Sequence, residues 1–188
     1  MSLNTLEEIA EFIVSDGKGI LAADESNPTC GKRFDSIGVE STETNRRDYR
    51  EMLFRATGMK DNIGGVILFD ETIRQNAEDG TPLVDLIKNQ GALPGIKVDK
   101  GLAPLESSPE ETVTQGLDGL DERCKEYVSL GAKFTKWRAV IKISDTIPSN
   151  ECIEANMQAL AKYAKIVQDN NMVPMVCLLY TSPSPRDA

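Results

Sequence analysis

Apolar runs of two kinds alternate along the 188-residue chain. The blocks "GILAADE", "GGVILFD", "GIKVDKG", "KFTKWRAVIKI" and "MVPMV" read as strands, because each is short and aliphatic and several open on glycine. They recur roughly 30 to 45 residues apart. Between them the period becomes helical. Leu3, Leu6, Ile9, Ala10 and Ile13 form one apolar stripe, and Ile153, Met157, Leu160, Ala164 and Val167 form another. Thr42 or Ser41 is placed to cap a helix over "ETNRRDYREMLF", and Gly131 to end one over "GLDGLDERCKEYVSLGA".

Strands and helices in strict alternation predict an α/β protein with a parallel sheet, of the Rossmann or the (β/α)8 kind. The pleat of "FTKWRAVIK" separates the two. Phe134, Lys136, Arg138, Val140 and Lys142 share one side, while Thr135, Trp137, Ala139 and Ile141 share the other. A sheet covered by helices on both faces has no room for that many cations. A barrel interior has, since it opens to solvent at the C-terminal ends of its strands. The pattern thus predicts a parallel (β/α)8 TIM barrel, of which about the first five βα units are visible.

Composition narrows the function. Hydrophobic residues at 40% and charged residues at 27% are ordinary for a soluble globular domain. No apolar run approaches the roughly 18 to 20 residues of a spanning helix. The start, "MSLNTLEEIAEFIV", carries acids where a signal peptide is basic. The expected address is cytoplasmic, with no membrane partner. A net charge of −9 argues against nucleic acid, so any bound anion must meet a local basic site. Cys30, Cys124, Cys152 and Cys177 show no C-x-x-C spacing, which fits reduced thiols rather than disulfides or zinc. The chain has no histidine, which removes the commonest transition-metal ligand and general base, so chemistry falls to Lys, Arg, Asp, Glu, Tyr or Ser; no cofactor is expected. "IGGVILF" is not a dinucleotide fingerprint.

Three strands end in charge. "LAADES" carries Asp24 and Glu25, "GIKVDKG" carries Lys97, Asp99 and Lys100, and "TKWR" carries Lys136 and Arg138. Gathered at one mouth, such groups suit a phosphorylated, polyhydroxylated small molecule: cations for phosphate, carboxylates for hydroxyls and protons. Plainer readings stand beside this one. Lys97 and Asp99 can form a structural ion pair, Asp24 can cap the following helix, and Arg46 and Arg47 fit a solvated helix face. Lys136 with Arg138 resists such a reading, because two inward cations on an apolar strand are costly without an anion.

The segments "GKGILAADES", "IGGVILFDET", "GIKVDKG", "TVTQGLDGLDERC" and "AKFTKWRAVIKI", in this order, closely resemble class I fructose-1,6-bisphosphate aldolase, with a match running from Leu6 to Val176. The resemblance implies a (β/α)8 barrel that reversibly cleaves fructose 1,6-bisphosphate to dihydroxyacetone phosphate and glyceraldehyde 3-phosphate through a lysine Schiff base, without metal. It implies that Asp24 handles a substrate hydroxyl during cleavage and that Lys136 assists intermediate formation with Arg138 alongside. It further implies that Ser26 and Lys97 lie along the substrate and its phosphate, and that Arg33 and Arg46 stand near bound sugar phosphate, which reassigns Arg46 from the solvated face. The whole protein is then expected to be a homotetramer. "DESNPTC" departs from the smaller residues usual after the serine.

A second departure lies at the C-terminal end. The family pattern continues with Glu-Pro-Glu and, later, a Leu-Leu-Lys-Pro segment that provides the Schiff-base lysine; neither follows Val176. "CLLYTSPSPRD" instead resembles the in-frame translation of a transposase-type sequencing adapter. Residues 1–176 are therefore expected to be the N-terminal part of one aldolase barrel domain, and residues 177–188 a non-native tail. On this expectation the chain alone lacks cleavage activity and leaves two sheet edges open. The alternative is a non-catalytic phosphosugar-binding or scaffold fragment.

Overall fold

The computed structural model describes residues 3–15 and 17–181. Its elements run α1 (Leu6–Ile13), β1 (Gly19–Ala23), α2 (Asn27–Asp35), α3 (Glu43–Phe54), α4 (Met59–Asn62), β2 (Ile63–Leu68), α5 (Asp70–Ile73) and α6 (Leu83–Asn89). Then follow β3 (Leu93–Lys97), β4 (Leu102–Leu105), β5 (Ser108–Thr114), α7 (Leu120–Ser129), β6 (Phe134–Lys142), α8 (Asn150–Asp169) and β7 (Val173–Thr181).

The five predicted strands form one curled parallel sheet in the order β1-β2-β3-β6-β7. One device feeds three of them. After α6, α7 and α8 the chain turns through Gly91, Gly131 and Asn171, all at positive φ. The next residue then donates its amide back into the last helical turn: Ala92 to Ile87 O, Ala132 to Tyr127 O and Met172 to Val167 O. This is the Schellman arrangement, which stops a helix and buries an apolar residue just beyond it. Ala92, Ala132 and Met172 are all buried, and a strand begins within two residues of each.

The two faces of the sheet are covered differently. Val66, Leu68, Ile96, Trp137 and Ala139 look outward and pack with α6, α7 and α8 in the larger core, where Tyr163 lies beside Trp137. On the inner face, α1 closes the N-terminal end. Ile9 and Ile13 meet Ile67 and Phe134 there. Gly65 and Gly95 make room for the Phe134 ring, since a Cβ on Gly95 would lie 2.3 Å from its Cζ. Above this plug the inner face turns polar, with Lys97 directly opposite Lys136 in the β3–β6 register.

Several expectations need correction. The outer stripe of α8 is displaced: Ile153 and Met157 are each 39% exposed, while Cys152, Asn156, Leu160, Tyr163 and Val167 are buried. Helical period alone cannot fix which of two adjacent lines of residues faces the sheet, and Tyr163 decides it through its hydroxyl bonds to Thr135 and Met175. The antiparallel hairpin β4–β5 also escaped prediction. Its prolines and acids read as loop, yet Pro104 sits opposite Thr112 in a short two-stranded ladder outside the main sheet. Finally, the last strand does not stop at Val176. It runs on through Cys177 to Thr181, nine residues in register with Phe134–Lys142. β6 offers a long edge, and Cys-Leu-Leu-Tyr-Thr has the composition to occupy it. Val176, Leu178 and Tyr180 are exposed along this strand, and β1 and β7 are the two sheet edges among the described residues. Residues 182–188 of the expected tail lie outside the described residues.

Candidate functional site

The C-terminal ends of the strands open into a cavity of about 900 Å3. Four of the seven expected site residues line it together with Lys136: Asp24, Ser26, Lys97 and Arg138. Asp24 follows β1 directly and is buried, with its Oδ2 accepting a hydrogen bond from Lys136 Nζ at 2.9 Å. The anion that Lys136 requires is therefore found 112 residues away in sequence. Asp24 does not cap α2. That position belongs to Ser26, whose hydroxyl meets Thr29 Oγ1 at 3.1 Å without closing the helix end.

The Lys97–Asp99 ion pair exists, at 3.5 Å. Asp99 is enclosed, and its second oxygen lies 3.5 Å from the Arg138 amide. Arg138 is held from behind by the hairpin, where the Thr114 hydroxyl donates to its carbonyl at 2.7 Å. Its guanidinium has no carboxylate partner among the described ion pairs, and its Nε is buried without a partner.

Arg33 and Arg46 do not line the cavity. Arg33 is largely exposed and pairs with Glu25, with Tyr49 Oη 3.1 Å away. Arg46 belongs neither to a solvated face nor to the mouth. Its guanidinium forms two bonds to Glu71, at 2.8 and 2.7 Å, and a third to Ser41 O. These bonds hold the Glu71 carboxyl below the usual range, Arg46 being the largest cause.

The cavity also gathers residues outside the sequence-derived set. Asp70, Arg74, Glu126 and Tyr127 form a rim network: Arg74 bridges Asp70 and Glu126, and Tyr127 Oη donates to Asp70 at 2.8 Å. Burial alone would raise the Asp70 carboxyl, but the bonds from Arg74 and Tyr127 outweigh it and keep it low. Burial and then Asp70 push Tyr127 up to about 12. Asp70 was findable, because it ends "GGVILFD" just as Asp24 and Lys97 end their strands. Arg123 was not, since it reaches back from α7 to donate to Val98 O and Gly116 O.

Six cations and five carboxylates line the mouth, giving a small positive excess in a chain of net charge −9. Among the cations, Lys100, Arg123 and Arg138 have no carboxylate within ion-pair distance among the described residues. Such a mouth favours an anion with several oxygens over a neutral or cationic ligand. Among the described residues, no group of three or more His, Cys, Asp and Glu is placed to hold a metal, and no helix is long and apolar enough to cross a membrane.

Fold and cavity together define a parallel α/β protein in which two lysine–carboxylate pairs stand at the C-terminal strand ends. The family model of fructose-bisphosphate aldolase class I matches residues 5–178, and the chain belongs to that family, whose members are lyases. Fructose-bisphosphate aldolase C-A of Danio rerio is 58% identical over 172 residues, covering 91% of this chain and 47% of its own length. Fructose-bisphosphate aldolase 6, cytosolic, of Arabidopsis thaliana is 55% identical over 167 residues, covering 89% and 47%. Among solved structures, the Plasmodium falciparum fructose-bisphosphate aldolase in complex with TRAP and a small-molecule inhibitor superposes with a TM-score of 0.93 at 48% identity, covering 96% of this chain and 52% of that one. The chain spans about half the length of the relatives it matches.

Proposed function

We propose that residues 1–176 are the N-terminal part of a (β/α)8 fructose-bisphosphate aldolase of the cytoplasm that cleaves fructose 1,6-bisphosphate through a lysine Schiff base. The observation that carries this is the Asp24–Lys136 pair, 2.9 Å apart between Lys97 and Arg138 at the strand ends. Asp24, as a buried carboxylate, takes the proton from the hydroxyl on the carbon that becomes the aldehyde. The carbon–carbon bond then breaks, and its electron pair passes into the iminium formed between the substrate's ketone carbon and the nucleophilic lysine, leaving an enamine. Lys136 holds Asp24 in place and stabilises charge as the intermediate forms. Ser26, Lys97 and Arg138 orient the substrate and its phosphate, with Arg33 and Arg46 contributing from outside the cavity. The nucleophilic lysine belongs to a segment beyond residues 1–188, residues 177–188 are a non-native tail, and the whole protein is a homotetramer.

The test joins residues 1–176 to the C-terminal half of the Danio rerio relative and measures turnover of fructose 1,6-bisphosphate. The chimera is expected to cleave it, and Asp24→Asn or Lys136→Met to lower kcat by about 100-fold or more. The 188-residue chain alone is expected to show no turnover. A folded, tetrameric chimera without activity, or turnover by the chain alone, overturns the reading.

A further inference from the structure

Two arginines near the cavity each hold a backbone carbonyl at a strand end. Arg50, on α3, is 1% exposed. Its Nη2 donates to the carbonyl of Glu25 at 3.0 Å and pairs with the Glu25 carboxylate, also at 3.0 Å, while its Nη1 lies 3.3 Å from Cys30 Sγ. The carbonyl it holds belongs to the peptide between Glu25 and Ser26, one residue after Asp24. Arg123, on α7, donates at 2.9 Å to the carbonyl of Val98, in the peptide between Val98 and Asp99, and reaches Gly116 O as well. Both residues leave Nε buried and without a partner.

A buried guanidinium is expensive to desolvate and is not needed to fill space, since Met or Leu would fill it more cheaply. Its advantage is geometric. A planar fork can hold two acceptors at fixed separation, which a single ammonium cannot do. The two peptides held in this way are those that follow β1 and β3, and they set the direction of Asp24 and of Lys97 and Asp99.

We propose that Arg50 and Arg123 are positioning residues: from the helical layer they clamp the two strand-end peptides that aim Asp24 toward Lys136 and Lys97 toward Asp99. Arg50 acts through the Glu25–Ser26 peptide, and Arg123 through Val98–Asp99. The proposal adds two residues to the reading of Asp24 and Lys136 as reacting groups and rests on that reading for its catalytic meaning. The clamp itself is a property of the unliganded chain and can be measured without turnover.

The experiment is NMR on the 188-residue chain, following the 15Nζ–1H correlation of Lys136, the carboxyl 13C of Asp24 and the backbone amides of residues 24–26 and 97–99. A lysine ammonium gives a visible correlation only while a partner slows its exchange. In Arg50→Met the Lys136 correlation is expected to be lost and the Asp24 carboxyl to shift. Arg50→Lys, which keeps the charge but not the fork, is expected to restore the fold without restoring the correlation. Arg123→Lys is expected to shift residues 97–99 and leave Asp24 in place. Ile87→Val, a buried change in the outer core, controls for loss of stability and is expected to move none of these signals. If Arg50→Lys keeps the Lys136 correlation and the Asp24 position of the parent, or if Ile87→Val disturbs them equally, the clamp is refuted. Loss of activity in the chimera with intact clamp signals would instead count against the roles given to Asp24 and Lys136.

Discussion

Replacing Gly95 by alanine tests how tightly the closed end of the half-barrel is packed. A Cβ there would lie 2.3 Å from Cζ of Phe134 and 2.5 Å from both Cε atoms. Carbon atoms in contact prefer about 3.5 to 4.0 Å, so the ring must withdraw by more than about 1 Å. It has little room to do so. Ile9, Ile13 and Ile67 surround it, and a Cβ on Gly65 would already meet the same ring at 3.0 Å. Overpacking of this kind costs about 1 to 3 kcal/mol, and the enclosed ring argues for the upper half of that range. At about 2 kcal/mol the folded-to-unfolded ratio falls roughly 30-fold, and a urea midpoint moves by about 1 M. Equilibrium urea unfolding of the parent, Gly95→Ala, Phe134→Leu and the double variant would measure it. Removing the ring should relieve most of the penalty, which appears as a coupling of about 1 kcal/mol or more. A Gly95→Ala cost below about 0.5 kcal/mol, or an equal cost with and without the ring, would refute the packing described.

Two further outcomes follow from the polar contacts. The Glu71 carboxyl is lowered by Arg46, so its contribution to stability is complete above its unfolded value near 4.3 and fades as pH falls through the folded one. The stability difference between the parent and Glu71→Gln should therefore shrink between about pH 5 and pH 3, and a difference that stays flat over that range would contradict the assignment. Tyr163→Phe removes a buried hydroxyl that meets Thr135 Oγ1 at 2.7 Å and faces the carbonyls of Thr135 and Met175. A loss of about 1 to 3 kcal/mol, or roughly 2 to 4 °C in Tm for each, is expected by thermal unfolding, and no loss would mean that water replaces the hydroxyl.

The parts of the fold that were legible in the sequence share one property: a short-range pattern decides them. Gly131 announces the end of α7 because only a left-handed position lets the chain turn back there, and the alternation in "FTKWRAVIK" sorts buried Thr135, Trp137, Ala139 and Ile141 from half-buried Lys136 and Arg138. Where two local solutions are nearly equal, the pattern fails. On α8 a line through Ile153 and Met157 and another through Cys152 and Asn156 differ by one residue, and only long-range contacts choose the second. Asn156 donates to Thr112 O, and Tyr163 bonds to β6 and β7. The hairpin β4–β5 was hidden for the same reason. Its sequence is polar, and it is ordered by what it touches: Thr114 on Arg138, and Glu111, which accepts from the Ser149 amide at the start of α8.

The site divides along the same line. Sequence alone shows which residues carry a cost that something must offset, and Lys136 on an apolar strand is such a residue. It does not show what offsets the cost, because the partner is chosen by the sheet. β1 and β6 are not neighbours: β2 and β3 lie between them, so Asp24 reaches Lys136 only because the sheet curls enough to bring the two side chains across its inner face. Lys97 stands opposite Lys136 in register yet takes Asp99, two residues along its own chain. Lys97 and Lys136 thus each have a carboxylate of their own, one local and one distant. Only the distant pair depends on curvature, so it should be the first to separate if the sheet flattens. The Lys136 correlation in the NMR experiment then reports sheet curvature as well as the Arg50 clamp, and a loss of that signal with unshifted amides at residues 24–26 would point to the sheet rather than to Arg50.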